Sequence, residues 1–293
     1  MHRYTGVSAN IGSSPVGLKW DAVDHSCAFD ATFTVLINIW KEEPVQWTCN
    51  YNLLGGLMAY FSSTLEDLNM DILTLEQARD KMRYEMRLCT PQNFPYGVTG
   101  TSIDKIMSTL LPVDRTYASG NRICNICGYS DPELRHLFNP YICAIPSAAQ
   151  AANHPSGIPV STWLTDHLRR GYARCPRCAL NGDHNRLSVA YNVTTTPDLL
   201  VLALDRPGLE FSSTITLDVN GTMRVLKLRG IIYGGDHHFT SRYISLSGSV
   251  WFHDGITTGR SCIYEGLLSD LTNSYMTSAR GKQAINLIYA RLN

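Results

Sequence analysis

Residues 233–254 read YGGDHHFTSRYISLSGSVWFHD. Two runs rich in β-branched and aromatic residues, 240–246 and 249–253, flank Ser247-Gly248. That pattern predicts two antiparallel strands joined by a turn. Folding back at the turn carries Asp254, sixteen residues after His238, to a place beside that histidine. An acid there would hold the imidazole in one tautomer and stabilise its cation. His237 is the competing imidazole. Side chains alternate across a strand, so the two histidines cannot both face one partner if the strand begins there. Gly234 and Gly235, just upstream, let a backbone approach closely. A surface hairpin with incidental polar residues has the same pattern, so the pair gains meaning only with a nucleophile from elsewhere in the chain.

Cys27 is the candidate nucleophile. It opens the segment 27–40 (CAFDATFTVLINIW), after Asp24-His25-Ser26. Phe29, Phe33, Leu36, Ile37 and Trp40 fall at helical spacing on one broad face, and Pro44 lies just beyond. A thiol at a helix N-terminus is expected to be acidified by the helix dipole and unsatisfied amides. The plainer alternative is a small core residue on an amphipathic helix. Segments 51–64, 73–89 and 101–111 also read as helices, the last capped by Thr101 or Ser102.

After Asn121 the texture changes to short strands: 140–146, 187–194, 199–204, 213–219, 222–228 and the two already named. Asn220-Gly221 is a hairpin signal. One helix, 160–172, interrupts them, with Ser161 as its expected cap and Trp163, Leu164, Leu168 and Tyr172 on one side. Helices first and strands afterwards make an α+β fold, in one large domain or two closely packed lobes.

Cys124-x2-Cys127 and Cys175-x2-Cys178 are separated by 47 residues. A two-residue gap lets both sulfurs of a pair turn toward one ion, and two pairs complete a tetrahedral four-thiolate shell. Such a shell has no place for water, so the expected Zn2+ is structural. Cys143, His136 and His154 are fallback ligands. Buried unligated cysteines, or a redox dithiol, are the alternatives; no thioredoxin-like βαβ context supports the second.

Of the 293 residues, 44% are hydrophobic and 17% charged, with 25 basic and 25 acidic side chains. This balance gives no field for nucleic acid or an anionic membrane surface. No apolar run reaches a membrane span, and the first residues lack a secretory apolar core. An intracellular setting, cytoplasmic or nuclear, is expected. There the nine cysteines, an odd number, read as ligands or nucleophiles rather than disulfides.

In this order the motifs resemble the catalytic domain of ubiquitin-specific proteases along nearly the whole chain. Gly17-Leu18-Lys19 resembles the family's opening, Cys27 its Cys box, and the four paired cysteines its zinc site. Leu164 to Tyr172 resembles the helix before the second pair. Pro197 to Arg206 resembles its "P-x-x-L-x-x-x-L-x-R" strand, and Gly235 to Thr240 its "G-H-Y-T". Trp251 and Asp254 correspond to its Trp and triad acid, and Ala284 to Arg291 to its closing strand. The resemblance implies a single domain over 1–293, a papain-like cysteine protease with a helical thumb (1–115), zinc-bearing β fingers with part of the palm (116–215) and a β-rich palm (216–293). It implies Cys27, His238 and Asp254 as triad, the histidine before the aromatic Phe239 being the family's base. Gly234, Gly235 and Trp251 would line the channel for a Gly-Gly tail. The implied activity is hydrolysis of ubiquitin or a ubiquitin-like modifier from lysine side chains. SUMO specificity, and an inactive modifier-binding module, are the alternatives. Two departures stand out. Ala22 occupies the position of the usual oxyanion Asn, leaving the Cys27 amide with His25 or Ser26 as candidate donors. Ala28 replaces the usual aromatic after the Cys. Trp20-x6-Cys27-x2-Asp30 is closer to the divergent SUMO isopeptidase of this superfamily and to transposon-associated fungal homologues.

Overall fold

The N-terminal part is helical because its apolar residues recur at helical spacing and its breaks carry turn chemistry. The structure, a computed structural model, describes residues 14–111, 117–131, 140–146, 148–154, 157–169, 175–182, 188–205 and 208–292. It begins with α1 (Cys27–Glu42), α2 (Pro44–Leu54), α3 (Gly56–Asn69), α4 (Leu75–Cys89) and α5 (Ile103–Leu110). Pro44, expected only as a breaker, is also the first residue of α2, where its missing N–H costs nothing. The single helix expected over 51–64 is instead parts of α2 and α3. Gly55 (φ 73) and Gly56 (φ 51) take left-handed backbone there and divide it. Thr74 and Gln77 form a capping box on α4. Ser102, not Thr101, caps α5, accepting the Lys105 N–H at 3.3 Å.

The remaining elements are β1 (Ala118–Ile123), β2 (Ser130–Asp131), β3 (Tyr141–Ala144), α6 (Ala148–Asn153), β4 (Ile158–Pro159), α7 (Val160–Arg169), α8 (Pro176–Ala179), β5 (Ser188–Val193), β6 (Leu199–Leu204), β7 (Leu209–Glu210), β8 (Thr214–Val219), β9 (Thr222–Gly235), β10 (His238–Ile244), β11 (Ser249–His253), β12 (Ile263–Leu267), α9 (Asn273–Thr277), β13 (Ser278–Ala279) and β14 (Lys282–Arg291). The strand expected over 222–228 thus runs on to Gly235. Ser161 is inside α7 rather than at its cap, and Tyr172 lies outside the described residues, as do His136 and Arg206.

Long β9 organises the sheet. Its first half pairs with β8 and its second half with β10 on the same edge, while β14 runs along the other edge. Beyond β14 come β6 and then β3, whose pairing with β6 is parallel. The sequence LLVLAL of β6 is apolar at every position because both faces are covered. Leu199 and Val201 join the helical core around α1, whereas Leu200 and Leu202 join the opposite core with Trp163 and Leu164 of α7. Every residue of α1 from Ala28 to Trp40 is buried, more than the one face expected, because α1 lies between the other helices and the sheet. The architecture is α+β, with helices on a large mixed sheet.

Candidate active site and cysteine cluster

Two-residue hairpins closed by a type I′ turn need positive φ at both turn positions. Asn220 (φ 50) and Gly221 (φ 80) supply this between β8 and β9. Asp236 (φ 51) and His237 (φ 56) supply it between β9 and β10, where Gly235 pairs with His238. His237 is therefore a turn residue and His238 the first residue of its strand. His238 Nε2 lies 2.8 Å from Asp254 Oδ1. Asp254 follows β11, the strand antiparallel to β10. Its carboxylate also accepts the Ile256 N–H at 3.0 Å and the Thr257 hydroxyl at 2.9 Å. Burial pushes this carboxyl up, but the hydrogen bonds from His238, Ile256 and Thr257 outweigh it and hold its pKa below the ordinary value.

Cys27 begins α1 and is partly buried. The backbone amide of Phe239, the residue after His238, lies near enough to the thiol to lower its pKa. The thiol thus sits against the start of β10, on the strand that carries the imidazole. Helix-start acidification does not prevail in this state: burial raises the Cys27 pKa, and the Asp30 charge adds to it. The amides of Phe239, Ala28 and Cys27 lower it by less.

Ser26 precedes the helix but makes no side-chain cap. Its hydroxyl donates to Asp30 Oδ2 at 2.6 Å and accepts from the Asp21 N–H at 2.7 Å and Arg79 at 3.2 Å. Its proton is committed, so its side chain offers nothing to an oxyanion. His25 is half-buried in left-handed backbone (φ 42), its ring 5.9 Å from that of Trp20. Ala22 is exposed. Asp30 lies one turn after Cys27 and pairs with Arg79 at 2.9 Å, both side chains almost wholly buried. Burial pushes the Asp30 carboxyl up to about 7 although Arg79 and Ser26 oppose it. Arg79 does not stand out in sequence, because its partners Asp30 and Ser26 are distant in the chain.

Gly234 and Gly235 end β9 next to His238, where a side chain would make tight contacts. A Cβ on Gly234 would sit 3.0 Å from Ile285, and one on Gly235 would sit 3.3 Å from Lys282. Trp251 is not brought to them. It pairs with Tyr243, five residues along β10 from His238, which is about 17 Å at strand rise, and its ring packs on Tyr264 at 5.2 Å. The cleft beside the site has other walls. A cavity of about 220 Å³ is lined by Ser102, Asp104, Cys143, Asp205, Phe239 and Ile285. A second, of about 430 Å³, shares Leu204, Asp205 and Ile285 and reaches Glu210 and Gln283. Alternation patterns could not reveal it, since its walls come from α5, β3, β6 and β14.

The two cysteine pairs converge. The four sulfurs of Cys124, Cys127, Cys175 and Cys178 all lie within 4.8 Å of one another. Cys124–Cys178 is 3.7 Å and Cys127–Cys175 is 3.5 Å. Four sulfurs about 2.3 Å from one zinc would be about 3.8 Å apart, so the donor set fits a tetrahedral ion. Gly128 (φ 68) gives its N–H to Cys124 O at 2.9 Å, closing the first knuckle. Backbone amides of Cys127 and Ile126 hold the Cys124 thiol below its ordinary value. Cys143 lines the cleft and His154 is exposed beyond α6; neither is in the cluster.

No family model matches this chain. No curated protein matches it either. Solved structures do. A chain of the SAGA DUB module of Ubp8, Sgf11, Sus1 and Sgf73 bound to monoubiquitin, solved with a cysteine-to-alanine Ubp8, is 13% identical, with a TM-score of 0.54; the match covers 95% of this chain and 69% of that one. A chain of the yeast SAGA DUB module with a mutant Sgf73 is also 13% identical, with a TM-score of 0.54 over 95% and 68%. A third, from the DUB module bound to ubiquitin aldehyde, is 15% identical, with a TM-score of 0.50 over 95% and 70%. The fold is therefore that of a ubiquitin-specific-protease-type domain, with a four-cysteine cluster. Among the described residues, no helix is long and apolar enough to cross a membrane.

Proposed function

We propose that the chain is a thiol isopeptidase that releases ubiquitin or a ubiquitin-like modifier after its C-terminal Gly-Gly. The observation that carries this is the 2.8 Å contact of His238 Nε2 with Asp254, on the strand whose next amide meets the Cys27 thiol. With Nε2 engaged by the acid, Nδ1 is the ring nitrogen left to exchange a proton with the thiol. In this reading Cys27 passes its proton to His238 and its sulfur attacks the modifier's terminal carbonyl. The amides of Cys27 and Ala28, at the helix start without a side-chain cap, receive the developing oxyanion. The imidazolium protonates the departing lysine amine, leaving a thioester. Water, deprotonated by the same imidazole, then hydrolyses the thioester and restores the thiol. The helices act as thumb, the long sheet as palm and the strands beside the cysteine cluster as fingers, with a structural zinc bracing the cluster.

Asp104 and Asp205 in the cleft favour a modifier tail with basic side chains ahead of its Gly-Gly, and so ubiquitin over SUMO. The similar folds that hold monoubiquitin or ubiquitin aldehyde support the same choice. A panel of ubiquitin and SUMO C-terminal fluorogenic substrates tests this. Turnover of the ubiquitin substrate, lost in Cys27→Ala, is expected; equal turnover by Cys27→Ala removes the nucleophile. A second reading, an inactive modifier-binding module, draws on the raised thiol and the engaged Ser26 hydroxyl. A vinyl-type covalent ubiquitin probe separates the two, because only an activated Cys27 reacts.

A further inference from the structure

His253 immediately precedes the acid and is buried, yet it touches neither His238 nor Cys27 in any hydrogen bond of the described residues. Its Nε2 faces two backbone oxygens, Leu18 O at 3.1 Å and Gly259 O at 3.0 Å. Carbonyl oxygens only accept, so Nε2 carries the proton. Burial lowers the ring's pKa and favours its neutral form, in which Nδ1 accepts from the Thr34 hydroxyl 3.3 Å away. Thr34 Oγ1 in turn receives the Leu18 N–H at 3.3 Å, which closes the circuit on Leu18. Three segments meet at this ring. Thr34 is on α1, the helix that starts at Cys27. Leu18 is on the N-terminal segment, itself tied to the acid's loop by Gly17 N–H to Arg260 O at 2.9 Å and Trp20 N–H to Gly255 O at 3.1 Å. Gly259 closes the loop that begins at Asp254, where Thr258 N–H reaches Asp254 O at 2.8 Å.

We propose that His253 is a positioning residue: its neutral imidazole locks α1, the N-terminal segment and the 254–259 loop together, and so holds Asp254 on His238. The space for the ring exists because residue 17 has no side chain. A Cβ on Gly17 would lie 2.2 Å from His253 Cδ2 and 2.5 Å from Nε2. Gly17→Ala therefore displaces the ring without touching the acid, the base or the thiol. The kinetic part of the test rests on the isopeptidase reading; the spectroscopic part does not.

The experiment uses the full chain labelled with 15N-histidine, and follows the low-field ring N–H resonance of His238, identified by its loss in His238→Ala. His253→Gln keeps an N–H near the position of Nε2 and should keep this resonance. His253→Leu and Gly17→Ala should broaden or lose it through exchange with water, at temperatures where circular dichroism shows folded protein. In hydrolysis assays the same two variants should lose about a hundredfold in kcat with KM within about twofold, the scale of a misplacement near 1 Å; His253→Gln should recover most of it. An unchanged resonance in Gly17→Ala and in whichever His253→Leu protein folds would overturn the proposal, as would a loss confined to KM. Wild-type protein without turnover would sink the isopeptidase reading alone, and the resonance would still decide the role of His253.

Discussion

Replacing Arg79 with Met should destabilise the protein in a strongly pH-dependent way. Arg79 and Asp30 are 3% and 2% exposed and 2.9 Å apart. The substitution preserves much of the apolar stem and leaves the Asp30 carboxylate buried without its cation. Breaking such a pair costs about 3–5 kcal/mol. With a urea dependence of about 2–3 kcal/mol per molar, the unfolding midpoint at pH 8 should fall by about 1–2.5 M. The sign with pH follows from Asp30. Its folded value, about 7, is above the ordinary carboxylate value, so folding favours the protonated form. Its stabilising contribution is complete below about pH 4 and is lost as pH rises through about 7. Without Arg79 the opposition to burial weakens and the folded value moves higher still. At pH 5.5 Asp30 is then neutral in the variant, and what remains is the loss of donors to Lys19 O at 2.7 Å and to Ser26, about 1–3 kcal/mol. Urea titrations followed by tryptophan fluorescence at pH 8 and 5.5 measure both values. Adding Asp30→Asn to Arg79→Met should restore much of the loss at pH 8. A deficit equal at the two pH values, or a double variant no more stable than Arg79→Met at pH 8, would refute the reasoning.

Removal of metal by a strong chelator should lower the melting temperature, and elemental analysis should find one zinc per chain, absent from Cys175→Ser/Cys178→Ser. His238→Ala should abolish turnover while His237→Ala, a turn position, keeps a large fraction. Asp254→Asn should lower kcat by about 10²–10⁴, between those two, in steady-state kinetics. Asp104→Asn and Asp205→Asn should each raise KM for a ubiquitin substrate by up to about fivefold, the worth of a partly exposed ion pair of about 1 kcal/mol. An unchanged KM would remove the basic-tail argument.

Local chemistry was legible in the sequence. Paired cysteines marked the cluster, Asn220-Gly221 marked a hairpin, and the run before Asp254 marked two strands whose return meets His238. What failed depended on distant neighbours. Periodicity could not divide 51–64, because the break is made by the backbone of Gly55 and Gly56 within an otherwise helical pattern. Trp251 was misplaced because a Trp in the right motif says nothing of register, and the register puts it opposite Tyr243. Asp30, Arg79 and His253 are polar residues in buried places around the site; their partners come from 49 residues away for Asp30–Arg79 and 219 for Thr34–His253. No spacing rule links such positions.

Burial raises the resting thiol, which sets a condition on the chemistry. A helix start alone does not make Cys27 a thiolate here, since desolvation and the Asp30 charge outweigh the amides around the sulfur. In the proposed reaction activation comes from a base, for which His238 is the candidate. One tight turn sets its place: Asp236 and His237 take left-handed backbone so that β10 can start at His238, and the Phe239 amide lies near the sulfur one residue later. At the other end, α1 is fastened to the same sheet by Glu42, which accepts from Arg229 and from Leu246 N–H at 3.0 Å. The helix with the thiol and the strand with the imidazole are thus joined at both ends. Their alignment is a property of the folded core, and substitutions that loosen that core should cost activity before they cost folding.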